Sequence, residues 1–93
     1  MKYTAAEEVH RSLLERWRKA MNLVGPGPLD AHFEDAVGAV TGLPVEGRWA
    51  DLGSGAGFPG IALAARFPSA TVLLVESRAK RATFLSQVVR EAQ

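Results

Sequence analysis

The sequence predicts an α/β fold in which two N-terminal helices precede a β-α-β-α unit with parallel strands. Two observations lead to this prediction. Three glycines, at positions 53, 55 and 57, follow a strand-like stretch and precede a helix-like one. The run 71–75 is apolar or β-branched throughout, as is typical of a strand buried on both faces of a parallel sheet. A helix that joins two neighbouring strands of one sheet makes them parallel.

Composition limits the classes of protein that fit. In 93 residues, of which 47% are hydrophobic, there is room for one small domain with a core. The formal net charge of +1 predicts no bulk attraction to nucleic acid or to an anionic membrane, so an RNA contact needs a local basic patch. The chain has no cysteine and two separated histidines, so we expect no metal site. Neither a membrane span nor a signal peptide is recognisable, and the cytoplasm is the expected location.

The first helix is predicted from about Ala5 to Asn22. Thr4 and Glu7 match a capping box, and apolar residues recur at helical spacing after them. The glycines and prolines of segment 25–28 end the helix. Because Trp17 shares the apolar face of this helix, we interpret it as a core residue rather than as a platform for RNA bases.

A second, shorter helix is predicted from Leu29 to Thr41, with Gly42 as its C-terminal cap. The two helices form a predicted N-terminal helical cover, residues 1–47, and residues 48–93 form the β-α-β-α unit. The elements predicted for this unit are the strand Arg48–Leu52, the helix Pro59–Phe67, the strand Thr71–Val75 and the helix Arg78–Ala92. The residues of the last helix expected to face inward are Phe84, Leu85, Val88 and Val89.

The segment after the first strand carries the pattern of a ligand-binding turn. Its sequence is Asp51-x-Gly53-x-Gly55-x-Gly57, in which the glycines let the backbone approach a nucleotide-like ligand closely. The carboxylate of Asp51 is placed to accept a hydrogen bond, directly or through water, from the ammonium of an amino-acid-like ligand. It can also bond amides of the turn itself, and the two roles are compatible.

The same segment contains the pattern G-x-G-x-x-G at 55–60, which dinucleotide-binding turns share. Pro59, however, lacks the amide that a pyrophosphate would use, and Asp51 would repel its negative charge. The residues therefore favour S-adenosylmethionine over a dinucleotide. An NAD-dependent oxidoreductase half-domain is the weaker alternative.

An acid follows the second strand. Glu76 stands where both classes of cofactor need an acceptor for their ribose hydroxyls, so it indicates a nucleoside without choosing between them. A solvated acid at the strand end is the alternative interpretation.

Basic residues come next in the chain. Arg78, Lys80 and Arg81 crowd a helix N-terminus, where the macrodipole disfavours cations. An RNA phosphate, the carboxylate of the cofactor, or a solvated cluster beside the preceding acid would each account for them. His32 and Asp35, in the second helix, either contact substrate or tie that helix to the rest.

Four blocks occur in order along the chain: WRKAMNL at 17–23, HF-x-D at 32–35, DLGSGAGFPG at 51–60 and VES-x-x-KR-x-x-FL at 75–85. Together they resemble the small-subunit ribosomal RNA guanine-N7 methyltransferase family, also called glucose-inhibited division protein B. The resemblance implies a class I (Rossmann-like) methyltransferase fold. It implies that S-adenosylmethionine is bound by Asp51, Gly53, Ser54, Gly55, Ala56, Gly57, Phe58, Glu76 and Ser77.

The activity that the resemblance implies is methyl transfer to N7 of a guanine in small-subunit ribosomal RNA, with this RNA or the ribosomal subunit as partner. Because N7 carries a free lone pair, the reaction needs alignment rather than a general base, and no catalytic residue is predicted. The RNA-binding candidates are Arg78, Lys80, Arg81 and His32.

Members of this family are much longer than this chain, and the resemblance covers only their N-terminal half. We therefore expect a truncated fold whose unpaired strand edges favour self-association. Such a chain should bind cofactor weakly and show no measurable methyl transfer. The rival hypothesis, from a different functional class, is a non-catalytic cofactor-binding fragment or interaction module.

Overall fold

A computed structural model of the chain describes residues 2–18 and 27–92. The predicted α/β class and the predicted order of elements are confirmed. Observed and predicted bounds agree to within one residue, apart from the end of the first helix, whose predicted continuation to Asn22 lies outside the described residues. The elements are α1 (Ala5–Trp17), α2 (Leu29–Val40), β1 (Gly47–Leu52), α3 (Gly60–Arg66), β2 (Ala70–Val75) and α4 (Ala79–Ala92).

The two strands pair in parallel, and their register fixes where the site lies. Gly47 pairs with Ala70, and Leu52 pairs with Val75. Both strands therefore end at the same edge of the sheet, and α3 is the crossover between them. The segments that follow the two strands lie side by side as a result.

The N-terminus of α1 forms the predicted capping box. The Thr4 hydroxyl accepts a hydrogen bond from the Glu7 amide at 3.1 Å, and the Glu7 carboxylate accepts one from the Thr4 amide at 2.9 Å. These two bonds satisfy amides that a helix N-terminus otherwise leaves unpaired. The start of α1 is thereby fixed by its own sequence.

The buried face of α1 also contains polar residues. Glu7 is fully buried, and both of its oxygens accept hydrogen bonds from the Arg66 guanidinium, at 2.8 and 3.0 Å. Burial raises the pKa of Glu7, but the bonds from Arg66 and from the Thr4 amide outweigh it and hold that pKa below its usual value. The pair ties α1 to the last residue of α3.

The second helix ends at Val40, one residue before the predicted bound, and Gly42 lies one position after the C-cap rather than at it. Thr41 is its C-cap, with an amide that donates to the Val37 carbonyl at 3.0 Å. Gly42 follows with a φ of +82°, the left-handed conformation that helix ends favour. From this helix Phe33 enters the core, where none of its surface is exposed.

The main hydrophobic core lies among all four helices. Its buried members include Leu14 from α1, Phe33 from α2, Ile61 from α3 and Phe84 from α4. One core therefore joins both parts of the chain, and their division at residue 47 into a cover and a β-α-β-α unit stays a prediction.

Of two side chains predicted to lie in the core, one does so and the other does not. Trp17 is half-buried with its ring centroid 5.6 Å from that of Phe84, which confirms its interpretation as a core residue. Val89 is 41% exposed, so the prediction that it faces inward is wrong. It lines an open groove between α4 and β2 rather than the core.

The prediction that the run 71–75 is buried on both faces is also wrong. Half-buried and exposed residues alternate along β2, and Leu73 is 63% exposed. In β1, Leu52 is 77% exposed. The physical reason is that α3 and α4 both pack on the face that carries Val72 and Leu74, so the described helices leave the other face open.

No helix within residues 2–18 and 27–92 has the length and hydrophobicity needed to cross a membrane.

Candidate cofactor site at the glycine-rich turn

The chain reverses direction between β1 and α3 in a tight turn. Gly53, Gly55 and Gly57 have φ values of +72°, +55° and +102°, in the left-handed region that side chains disfavour. A methyl group at Gly53 would meet no atom within 4 Å, so one side of the turn is open. Glycine at these positions is required by the backbone conformation.

The end of β2 holds this turn in place. The amides of Gly53 and Ser54 both donate to the Val75 carbonyl, at 2.8 and 3.0 Å. The Ser54 hydroxyl donates to the Asp51 carbonyl at 2.9 Å, and the Ser54 side chain is buried beneath the turn. The turn that follows one strand therefore rests on the last residue of its neighbour.

Glu76 joins the two strand ends directly. One of its carboxylate oxygens accepts a hydrogen bond from the Gly55 amide at 2.8 Å, and the other accepts one from the Arg78 amide at 3.0 Å. These two amides, together with the positive charges of Arg81 and Arg78, hold the pKa of Glu76 below its usual value. The ionised group keeps free lone pairs and can accept further hydrogen bonds from hydroxyls.

Asp51 lies at the N-terminus of α3. Its side chain is half-buried and accepts a hydrogen bond from the Gly60 amide at 3.1 Å. A Cβ at Gly60 would collide with the Asp51 carboxylate and with Leu74. The structure thus shows Asp51 bonded to the first amide of α3, which comes directly after the turn segment, and the contact of Asp51 with an ammonium group stays a prediction.

Aromatic side chains surround the far end of the turn. The half-buried ring of Phe58 lies 4.9 Å from that of Phe33 and 5.0 Å from that of His10, measured between centroids. The ring of His32 stacks on Phe58 at 6.2 Å with an interplanar angle of 27°. His32 is therefore next to the turn, on the side of α2.

His10 is the residue at this site that sequence reasoning missed. It is 1% exposed, and its Nε2 lies 2.7 Å from the Ala56 carbonyl oxygen. The available signal was its spacing, three residues after Glu7 and three before Leu13, which puts it on the buried face of α1.

The environment of His10 keeps its ring neutral. Burial lowers its pKa to about 4, although the Ala56 carbonyl and the charge of Glu7 act in the opposite direction. Because the unfolded chain takes up the proton more readily, the stability that neutral His10 contributes is complete above the ordinary pKa of 6.5 and is lost as the pH falls toward about 4.

The predicted RNA-binding residues lie around the turn at different depths. Arg78 and Lys80 are exposed, whereas Arg81 is half-buried; Ser77, which is predicted to bind cofactor, is also exposed. Nη1 of Arg81 lies 4.0 Å from the position that a Cβ of Gly55 would take. Arg81 thus borders the turn itself, and the two other cations extend outward from it.

Among the residues that the structure describes, no three His, Asp or Glu side chains cluster so as to hold a metal ion.

Comparison with known proteins decides the family. The family model described as rRNA small subunit methyltransferase G matches residues 6–93. The chain belongs to the rRNA small subunit methyltransferase G family. The resemblance found in the four sequence blocks is confirmed.

Individual members of the methyltransferase G family are similar over most of this chain. A protein named Ribosomal RNA small subunit methyltransferase G from Bradyrhizobium diazoefficiens is 45% identical over 86 residues, which cover 85% of this chain and 33% of the relative. The protein of that name from Methylorubrum extorquens is 42% identical over 93 residues, which cover 92% and 44%. The chain therefore spans between a third and a half of the length of these relatives.

The contact between the turn and α1 can be tested with Gly57→Ala. We expect the free energy of unfolding to fall by roughly 2–4 kcal/mol, because alanine is strained at this φ and its Cβ would lie 2.6 Å from Cδ1 of Ile61 and 2.8 Å from Nε2 of His10. The matched control is Gly53→Ala, which has a positive φ but open space and should cost only about 1–2 kcal/mol. Urea unfolding followed by circular dichroism measures both, and equal losses would contradict the close packing of His10 and Ile61 on Gly57.

Proposed function

We propose that this chain supplies the cofactor-binding part of an S-adenosylmethionine-dependent methyltransferase that acts on N7 of a guanine in small-subunit ribosomal RNA. One observation carries the proposal: the carboxylate of Glu76 accepts the Gly55 amide of a glycine turn at the shared end of two parallel strands. In open α/β sheets this edge is where nucleotide-like ligands bind. Membership of the rRNA small subunit methyltransferase G family supports the same conclusion.

The residues at the turn fit the parts of this cofactor. The open side of Gly53 allows close approach of the ligand to the backbone. Glu76 is ionised and can accept hydrogen bonds from two ribose hydroxyls. We assign to Asp51 the ammonium of the methionine part, reached directly or through water. Ser54, Ala56 and Phe58 complete the turn, and Ser77 lies beside the acid.

The bound cofactor would supply an activated methyl group. The chain's own residues bind and orient it and exclude water from one side, which is the main requirement when the acceptor nitrogen already carries a lone pair. His10 is unsuited to act as a base because it is buried behind the turn. We therefore assign no catalytic residue among the described ones.

We propose that RNA phosphates bind the cations beside the turn. Arg78 and Lys80 are exposed at the start of α4, and Arg81 borders the turn. His32, stacked on Phe58, borders it from the side of α2. The formal net charge of +1 makes this local group, rather than the whole surface, the source of attraction. The ribosomal small subunit as partner implies the cytoplasm as the location.

A dinucleotide fits this turn less well. Pyrophosphates bind the free amides at the N-terminus of the helix that follows such a turn. Here the Asp51 carboxylate already accepts the Gly60 amide at that point, and Pro59 has no amide to offer. A pyrophosphate would meet a negative charge there.

Binding of S-adenosylhomocysteine tests the role of Glu76. We expect Glu76→Ala to weaken binding by about 10-fold or more, because ribose hydroxyls would lose their acceptor. Glu34→Gln, at an exposed position of α2, is the control and should leave affinity unchanged. Isothermal titration with S-adenosylhomocysteine measures the affinity of each variant, and titration of the parent chain with NAD measures its preference between the two ligands. Tighter binding of NAD, or equal affinity in the Glu76 variant, would contradict the proposal.

A second proposal is that the chain self-associates through the open face of its sheet. Leu52, Leu73 and Val75 together expose a large apolar surface on that face. This surface also suits the alternative function of an interaction module. Another copy of the chain would cover this apolar surface.

Sedimentation velocity tests this proposal. We expect Leu73→Asp to shift the 93-residue chain toward the monomer, because a buried charge at the interface is unfavourable. Leu43→Asp is the matched control, since Leu43 is an exposed leucine that lies between α2 and β1 rather than on the sheet. A monomeric parent chain, or equal effects of the two variants, would refute it.

A further inference from the structure

We infer that His10 is a positioning residue for the glycine turn, which it holds from the side opposite the open one through the Ala56 carbonyl. The inference rests on the proposed function, in which this turn binds the cofactor. In this inference α1, which lies far from the turn in sequence, helps to orient the backbone of the turn.

The bond from His10 fixes the plane of one peptide. The carbonyl of the peptide between Ala56 and Gly57 accepts from Nε2 of His10 at 2.7 Å, and its amide donates to the Ser54 carbonyl at 2.7 Å. Because a trans peptide is rigid, bonds at both ends determine how it is oriented. The carbonyl of the next peptide, that of Gly57, accepts the Ile61 amide at 2.9 Å, so the peptide that His10 orients directly precedes the one that bonds to α3.

His10 and Gly57 are also complementary in shape. A Cβ on Gly57 would lie 2.8 Å from Nε2 of His10 and 3.1 Å from its Cε1. The imidazole, together with Cδ1 of Ile61 at 2.6 Å, therefore occupies the space that a side chain at Gly57 would need. His10 and Gly57, which lie 47 positions apart in the sequence, therefore depend on each other. A larger residue at position 57 would collide with the imidazole, and a shift of α1 would separate the imidazole from the turn.

The placement of His10 is fixed by the rest of α1. Glu7, one turn earlier on the same face, accepts hydrogen bonds from Nε and Nη2 of Arg66. α1 thus contacts α3 at both ends, at Arg66 through Glu7 and at the turn before Gly60 through His10. The rings of Phe33 and Phe84, 5.1 and 6.2 Å away, limit the movement of the imidazole.

The geometry specifies one tautomer of the ring. The Ala56 carbonyl is an acceptor only, so Nε2 must carry the proton. Nδ1 is buried without a hydrogen-bond partner and is left unprotonated in a neutral ring. The charged group that acts on His10 is Glu7, on its own helix, whose carboxylate is paired with Arg66 of α3. Helices α2 and α4 present phenylalanines to it.

Two substitutions separate the hydrogen bond from the shape of the ring. His10→Gln keeps a donor close to the position of Nε2, whereas His10→Phe keeps a ring and removes the donor. Tyr3→Phe is the control, because it removes a bond from the segment before α1 to Asp30 of α2, a bond that does not involve the turn. All three are made in the 93-residue chain.

The first readout is amide hydrogen exchange by NMR, which needs no cofactor. We expect exchange at Gly57 to quicken by about 10-fold or more in His10→Phe, to stay within about 3-fold of the parent in His10→Gln, and to stay unchanged in Tyr3→Phe. Equal effects of the glutamine and phenylalanine variants would overturn the inference. If His10→Phe does not fold, nitrogen NMR of the parent chain tests the inference instead, by showing which imidazole nitrogen of His10 carries the proton. A proton on Nδ1 rather than on Nε2 would overturn the inference.

The second readout is affinity for S-adenosylhomocysteine. We expect a loss of about 10-fold in His10→Phe, with recovery in His10→Gln, because the amides of the turn lose their fixed orientation. A parent chain that binds no S-adenosylhomocysteine while the exchange results hold would refute the proposed function and leave the structural role of His10 intact. Normal affinity in His10→Phe, with faster exchange, would instead refute the positioning role alone.

Discussion

The arrangement at the end of the sheet depends on one backbone constraint, the reversal of the chain from β1 into α3 across the end of β2. Within Gly53–Gly57 the backbone takes three left-handed conformations, and the Val75 carbonyl accepts two of the amides. Because these bonds come from the neighbouring strand, the turn exists only when the strands are paired in register. The position of Glu76 follows directly, since it is the next residue after Val75.

Buried polar groups then connect this turn to the N-terminal helix. A buried carboxylate or imidazole is unfavourable unless it is hydrogen-bonded, so Glu7 and His10 restrict α1 to the orientation in which Arg66 and the Ala56 carbonyl are within reach. The apolar residues of α1 would tolerate several packing angles. The helix therefore supplies specificity of orientation as well as cover for the core.

The sequence was sufficient to predict what depends on local pattern. The turn at 53–57, the parallel strands and the capping box at Thr4 each follow from backbone preference over a few residues. The partners of His10 and Glu7 were not predictable, because they lie 46 and 59 positions away and no spacing rule connects them. The one-sided burial of β2 was also missed, since an apolar run does not show how many helices cover it.

The most direct measurement is an NMR titration of the 93-residue chain with S-adenosylhomocysteine, in which the backbone amide shifts are followed residue by residue. If the turn and Glu76 form one cofactor site, the largest changes in amide chemical shift occur at residues 53–58 and 76–78. The amide shifts of the α2–β1 loop, residues 43–46, remain unchanged. Changes confined to other elements, or equally large changes in Glu76→Ala, would contradict this account.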